Sequence, residues 1–314
     1  EVFKRKYAQS EHETWADRAK IIVNSVCGDM DGTKNNLMEA DDRAQLTKYI
    51  EDFKFMPGGR YIWYGGRDAR FFNNCYLLRL EEDSREAWAG LSQRAMSCLM
   101  TGGGIGVDVS RCRPSGRALK RTGGIASGPL PLLYTLNEIG RNVMQGGSRR
   151  SALYGSMDAG HGDIWELLHA KNWSNIPIEG SELSIADAKK FNFNYHAPLD
   201  MMNISLNYSD EWLNGGQDDI FMENCKQALM TGEPGFSFNF GDKKGETLRN
   251  ACTEITSEDD SDVCNLGSVN LANIDTPEDF KDVVHLASKF LVCGLIRAHL
   301  PYEKVEKVRQ QNHL

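Results

Sequence analysis

The sequence has no run approaching the roughly 20 apolar residues that a membrane helix requires, which excludes a simple helical membrane span. It has no CxxC pair, so the short-spaced ligands that usually build a tetrahedral zinc site are missing. No glycine loop is followed by Gly-Lys-Ser or Gly-Lys-Thr, which excludes a P-loop. The opening segment, EVFKRKYAQSEHETWADRAK, is polar and lacks the apolar stretch of a secretory signal, so a cytoplasmic location is expected (host cytoplasm if the source is viral). Positive charge is in deficit, with 36 Lys and Arg against 44 Asp and Glu and a net charge of -8. That balance argues against a general nucleic-acid surface but permits local basic sites for phosphates. Internal repeats and low-complexity linkers are also absent.

What is there suffices for a large fold: 314 residues, 40% of them hydrophobic. Residues 11–28 and 38–54 have amphipathic helical patterns, the second stopped by Pro57-Gly58-Gly59, and suggest a helical region over 1–56. Beyond it, short apolar runs alternate with helical patterns. NNCYLLRL, GIGVDVS, SALYGSM, MNISLNY and GFSFNF read as strands. SREAWAGLSQRAMSCLM, PLPLLYTLNEIGRNVM, DIWELLHAK and DIFMENCKQALMT read as helices. This alternation predicts an α/β fold with mostly parallel strands, forming one domain over 57–314. Two more helices, broken near Pro301, are expected over 276–311.

Three glycine-dense stretches stand out: TGGGIG (101–106), RTGGIASGP (121–129) and QGGSRRSA (145–152). Glycine suits loops whose backbone must approach a ligand or present amides to phosphate, although tight turns need it equally. Arg149 and Arg150 add a cationic pair suited to an anion or a nucleobase. The segment 110–124 (SRCRPSGRALKRTGG) carries five basic residues.

The eight cysteines lie in a long chain without a secretory signal, where free thiols, ligands and redox groups outnumber structural disulfides. Two of them fall in RNACTEITSEDDSDVCNLGSVNL, where Cys252 and Cys264 stand twelve residues apart and Cys252 lies between Asn250 and Glu254. Spacing alone leaves a metal clip, a disulfide loop and sulfur chemistry all open.

The motifs carry a resemblance. NACTEI followed by CNLGSVNL resembles the finger loop and following strand of the ribonucleotide reductase catalytic (large) subunit, whose pattern is Asn-Pro-Cys-x-Glu-Ile and then Cys-Asn-Leu-Gly-Ser. Here Asn250, Cys252, Glu254 and Ile255 match, as do Cys264 through Ser268; Ala251 replaces the usual proline. NNCYLL, GGGIGVDVSRCRPSG, TGGIASGP, QGGSRRSA and GEPGFSFN match in family order, so the resemblance spans about residues 57–275. Within the family it is most similar to the adenosylcobalamin-dependent class II branch, with no ATP-cone region at the start.

The resemblance implies a ten-stranded α/β barrel, of which this chain would supply the first half with the finger loop, as a split or truncated subunit needing a complementary C-terminal fragment. It implies a thiyl radical at Cys252 that activates the ribose C3′. Glu254 would serve as general base and Asn250 as a substrate-orienting residue. Cys75 and Cys264 would form the reducing pair, renewed by a thioredoxin- or glutaredoxin-like reductant. An extended finger segment would set 250, 252 and 254 on one side. Asn74, Gly103 and Gly104 would bind the ribonucleotide. Asp83, Ser84, Arg113, Lys120, Arg149 and Arg150 would bind or relay a deoxynucleotide or ATP effector, although Asp83-Ser84 also reads as an ordinary helix N-cap. Adenosylcobalamin is the implied radical source; a metal cofactor in a separate ferritin-like subunit is the alternative. A homodimer is compatible with this reading. A non-catalytic nucleotide-binding remnant or assembly partner of a split reductase is the reading from another class.

Overall fold

The computed structural model describes residues 1–28, 36–120, 123–143, 151–215 and 218–312. The chain forms two compact units, one made of Glu1–Asn74 with Val263–Leu314 and the other of Cys75–Asp262.

The first unit opens with α1 (Val2–Lys6), α2 (Trp15–Cys27) and α3 (Ala40–Glu51), followed by β1 (Phe55–Pro57) and α4 (Gly59–Tyr64). Helix α2 starts at a capping box in which Thr14 and Asp17 satisfy each other's backbone N–H groups. Its inward face, Ala19, Ile22, Val23 and Val26, is fully buried.

The second unit alternates strand and helix. β2 (Cys75–Arg79) leads to α5 (Arg85–Thr101), β3 (Gly104–Asp108), α6 (Leu130–Asn142) and β4 (Leu153–Asp158). Next come α7 (Ile164–His169), α8 (Ile185–Phe191), β5 (Met202–Tyr208), α9 (Asp210–Leu213), α10 (Asp218–Thr231) and β6 (Gly235–Phe238). Strands β2 to β6 are parallel neighbours in chain order, with Cys75 opposite Gly104 and Ile105 opposite Leu153. The α/β class and the five parallel strands expected of a first half-barrel are therefore present. Near-continuous apolar strands such as CYLLR follow from this arrangement, because a parallel sheet covered on both faces leaves no side to water. Helix α5 turns its buried Leu91, Ala95, Cys98 and Leu99 inward at helical spacing. A two-stranded antiparallel hairpin closes the unit, β7 (Leu248–Arg249) against β8 (Thr256–Ser257).

The chain then passes through β9 (Asp262–Cys264) and returns to the first unit with β10 (Gly267–Val269), α11 (Pro277–Arg297) and α12 (Glu303–Asn312). β10 pairs antiparallel with β1, and a Cβ at Gly267 would meet the Phe55 ring at 2.5 Å, so only glycine fits there. Helix α11 buries Val283, Leu286, Ala287, Phe290, Cys293 and Gly294, a stripe of helical period that joins α2 and α3 in one apolar core. No described helix is long and apolar enough to cross a membrane.

Candidate active site

The finger segment is the tip of the β7–β8 hairpin. Asn250 closes it: its Oδ1 accepts from the Ile255 N–H at 3.1 Å, and its carbonyl accepts from the Thr253 N–H at 3.0 Å. Its Nδ2 donates to Glu254 Oε1 at 2.8 Å. Asn250 is buried, whereas Cys252 and Glu254 are exposed. The tip is thus a turn and not the extended segment expected from sequence, so residues 250, 252 and 254 do not share one side by strand alternation. Tight backbone bonding over six residues leaves no room for a pleat. Asn250 and Glu254 meet because the turn brings them together. Thr253 occupies the left-handed region at φ 72°, a costly conformation for a β-branched residue and one that clusters at functional sites.

Glycines in β3 let this hairpin lie against the sheet. A Cβ at Gly106 would fall 1.8 Å from the Arg249 carbonyl oxygen, and one at Gly104 would stand 2.9 Å from Ala251 Cβ and 3.2 Å from Cys75 Sγ. The Cys75 sulfur therefore sits beside the base of the finger, on the first residue of β2. Gly102 takes the left-handed cap of α5 at φ 82°, and Gly103 follows it, its N–H directed at Thr101 Oγ1. The TGGGIG stretch combines a turn with a close-approach surface.

Both legs of the hairpin are pinned. Arg249 Nε donates to Ser237 Oγ at 2.6 Å, and its Nη2 donates to Asn239 Oδ1 at 3.1 Å and the Phe238 carbonyl at 3.3 Å. Thr247 Oγ1 donates to the buried Asp108 at 2.7 Å and accepts from Arg79 Nη2 at 3.0 Å. On the return leg, Arg79 Nη1 donates to the Glu258 carbonyl at 3.0 Å and its N–H to Asp260 Oδ1 at 2.7 Å. Arg94 forms an ion pair with the same Asp260. The acidic cluster at 257–262 is thus largely an internal anchor: Asp260, Ser261 and Asp262 are buried, and the Ser261 N–H donates to the Leu77 carbonyl at 2.7 Å. None of these anchors was picked out from sequence. Their signal, isolated Arg, Thr and Asp residues far apart in the chain, becomes readable only with the fold.

Cys264 and Asn74 lie in the first unit. The Asn74 N–H donates to the Cys264 carbonyl at 2.9 Å, and its Oδ1 accepts from the Leu266 N–H at 3.2 Å. This side chain, assigned to substrate on resemblance, braces the CNLG segment. A Cβ at Gly58 would also collide with Leu266 O at 2.7 Å, so the same segment is closely packed from a second side.

Of the effector candidates, Asp83 and Arg113 meet. Asp83 Oδ2 accepts from the Arg113 backbone N–H at 3.0 Å and from its guanidinium, while Oδ1 accepts from the Trp88 indole at 3.0 Å. Burial pushes the Asp83 carboxyl up, but these bonds outweigh it and hold the group below the ordinary carboxylate range. Ser84 is the N-cap of α5, accepting from the Ala87 N–H at 3.1 Å. Lys120 is exposed near the end of the basic loop. Arg149 and Arg150 lie outside the described residues.

With this geometry in view, the comparisons identify the class. The sequence matches the family described as ribonucleotide reductase, barrel domain, over residues 73–226 and 217–314, and the chain belongs to that family. It is similar to a vitamin B12-dependent ribonucleoside-diphosphate reductase of Mycobacterium tuberculosis (strain CDC 1551 / Oshkosh), 27% identical over 242 residues, covering 72% of this chain and 33% of that protein. A protein of the same description from Thermoplasma acidophilum is 25% identical over 289 residues, covering 84% of this chain and 36% of its own length. The large subunit of the Vaccinia virus ribonucleoside-diphosphate reductase is 31% identical over 152 residues, covering 47% and 20%. The chain spans about a third of the length of the first two relatives.

Proposed function

We propose that the chain carries the radical-bearing finger of a ribonucleotide reductase catalytic subunit, which converts ribonucleotides to 2′-deoxyribonucleotides. Residues 57–314 would be the first portion of its barrel domain. The observation that carries this reading is the pinned hairpin, with Cys252 at its tip, Glu254 held by Asn250, and the Cys75 sulfur at its base.

Removing a ribose 2′-hydroxyl from an unactivated carbon is difficult. A sulfur radical at Cys252 would take the hydrogen from C3′, and the neighbouring hydroxyl then leaves as water. Glu254 would accept the 3′-hydroxyl proton. Asn250 would act on the base itself, orienting the Glu254 carboxylate through its amide, in place of the substrate contact expected from sequence. Cys75 and Cys264 would supply two electrons and two protons and become a disulfide, while the hydrogen first taken returns to C3′. The sum is ribonucleotide plus dithiol giving deoxyribonucleotide, water and disulfide. An external thiol system would reopen that bond by exchange.

Adenosylcobalamin is the proposed radical source, because the bacterial and archaeal relatives are vitamin B12-dependent reductases. When bound it would supply the one-electron oxidising equivalent that draws hydrogen from Cys252, and an exposed tip sulfur fits attack from outside the hairpin. A separate metal subunit is the alternative. Asp83, Ser84, Arg113 and Lys120, with Arg149 and Arg150, would serve a nucleotide effector. For Asp83 and Arg113 this requires the phosphate to compete with an existing ion pair.

The test is turnover of a ribonucleotide by the chain alone and with added polypeptide supplying the remainder of such a relative, with and without adenosylcobalamin. Cobalamin-dependent product that is lost in Cys252→Ser supports the reading. Deoxynucleotide binding with no turnover under any complementation would favour a non-catalytic partner.

A further inference from the structure

Two cysteines that the proposed reaction does not use lie together in the core of the first unit. Cys27 is the last residue of α2 and Cys293 belongs to the inward stripe of α11; both are buried in the same apolar cluster. Each thiol shifts the other's proton affinity, Cys27 upward and Cys293 downward. One short segment ties both down: the Leu37 N–H donates to the Cys27 carbonyl at 3.0 Å, and the Leu37 carbonyl accepts from Cys293 Sγ at 3.8 Å. Arg297, one turn beyond Cys293, donates from Nη2 to the carbonyl of Gly28 at 2.6 Å, which sets a guanidinium beside the pair.

We propose that Cys27 and Cys293 form a second oxidisable dithiol, whose reactant is a low-molecular-weight disulfide and whose product is a covalent staple between α2 and α11. The two thiols are set for unequal roles. The neighbouring Cys27 thiol holds the Cys293 thiol down, and the charges of Arg297 and Lys289 assist, so Cys293 is the attacking sulfur. The Cys293 thiol and burial push Cys27 up, so it is the resolving thiol. By contrast, burial and the Asp83 charge push the Cys112 thiol up to about 12, an inert setting.

The steps balance. The Cys293 thiolate attacks the small disulfide, forming a mixed disulfide and releasing one thiolate. Cys27 gives its proton to that thiolate and attacks the Cys293 sulfur, releasing the second small thiol. Two protein thiols are oxidised and one external disulfide is reduced to two thiols.

The site differs from the proposed Cys75–Cys264 pair, although Cys264 also belongs to the first unit. The test therefore separates them. The folded full chain is incubated with glutathione disulfide, quenched by alkylation in denaturant, digested and read by mass spectrometry, both as wild type and in a Cys75→Ser/Cys252→Ser/Cys264→Ser background. A Cys27–Cys293 linked peptide pair in both proteins is expected, with a thermal midpoint that rises on oxidation and returns with dithiothreitol. In Cys27→Ser, Cys293 should stop at the glutathione adduct, enriched at least tenfold over wild type. Recovery of both cysteines as alkylated thiols, linkage of Cys293 to Cys264, or linkage only after denaturation would each overturn the proposal. No readout depends on reductase turnover.

Discussion

Gly106→Ala is the sharpest perturbation of the finger. The new Cβ would lie 1.8 Å from the Arg249 carbonyl oxygen and 2.9 Å from its carbon, and both are backbone atoms that cannot rotate away. Bringing the first contact out to even 3.0 Å requires β3 and the hairpin base to part by about 1.2 Å. Overpacking of a closed site costs about 1–3 kcal/mol, and this case belongs at the upper end because no side chain can yield. A shift of that size at the base also moves Cys252 off the reacting position proposed for it, where a misplacement of about 1 Å costs on the order of a hundredfold in rate. Gly90→Ala is the matched control: it lies in α5 with nothing within 4 Å of the added carbon. There the substitution should stabilise by about 0.5–1 kcal/mol through helix propensity. Urea unfolding of both variants gives the stability terms, and complemented turnover gives the rate. Equal midpoints for Gly106→Ala and wild type, with turnover within twofold, would refute the close-approach argument.

Four further outcomes are expected. Cys252→Ser should abolish turnover while leaving the urea midpoint unchanged, because the side chain is exposed. Arg249→Ala should lower turnover more than Arg249→Lys, since lysine keeps one donor toward Ser237; a nitroxide on Cys252 should report greater tip mobility by electron paramagnetic resonance. Thr253→Gly should relieve a φ of 72° and raise stability by up to about 1 kcal/mol in thermal unfolding. For Asp83 the folded pKa lies below the unfolded one, so its ion pair stabilises fully at neutral pH. That contribution is lost as pH falls below the ordinary carboxylate range through the folded value. Asp83→Asn should therefore flatten the acid limb of a stability-against-pH curve and leave its alkaline limb unchanged.

Much of the architecture was legible because it rests on period. The stripe from Val283 to Gly294 and the apolar run CYLLR announce a buried helix face and a buried strand without any knowledge of partners. The five parallel strands fall on the five runs read as strands. What escaped was set by pairings that period does not encode. The hairpin β7–β8 has only two residues per strand, too short for alternation to register. The SEDDSD run is acidic, yet Asp260 and Asp262 are buried because Arg79, Arg94 and Ser257 meet them from distant positions or across a turn. Helix α8 was missed although Ser184 and Asp187 form a capping box, a local signal that was available. At the candidate site, the residue types proposed to react stand in the family motif, but the Asn250–Glu254 bond depends on a turn geometry that the motif does not state.

The hairpin is fastened at three separate points: Arg249 at the end of β6, Thr247 at the end of β3, and the Glu258–Asp260 leg at the end of β2. Two fastenings would leave an axis about which the tip could swing; a third off that axis works like a tripod and removes the swing. On the proposed reading, a substrate arriving at Cys252 would then meet a sulfur already in position, and its binding energy need not be diverted to ordering the loop.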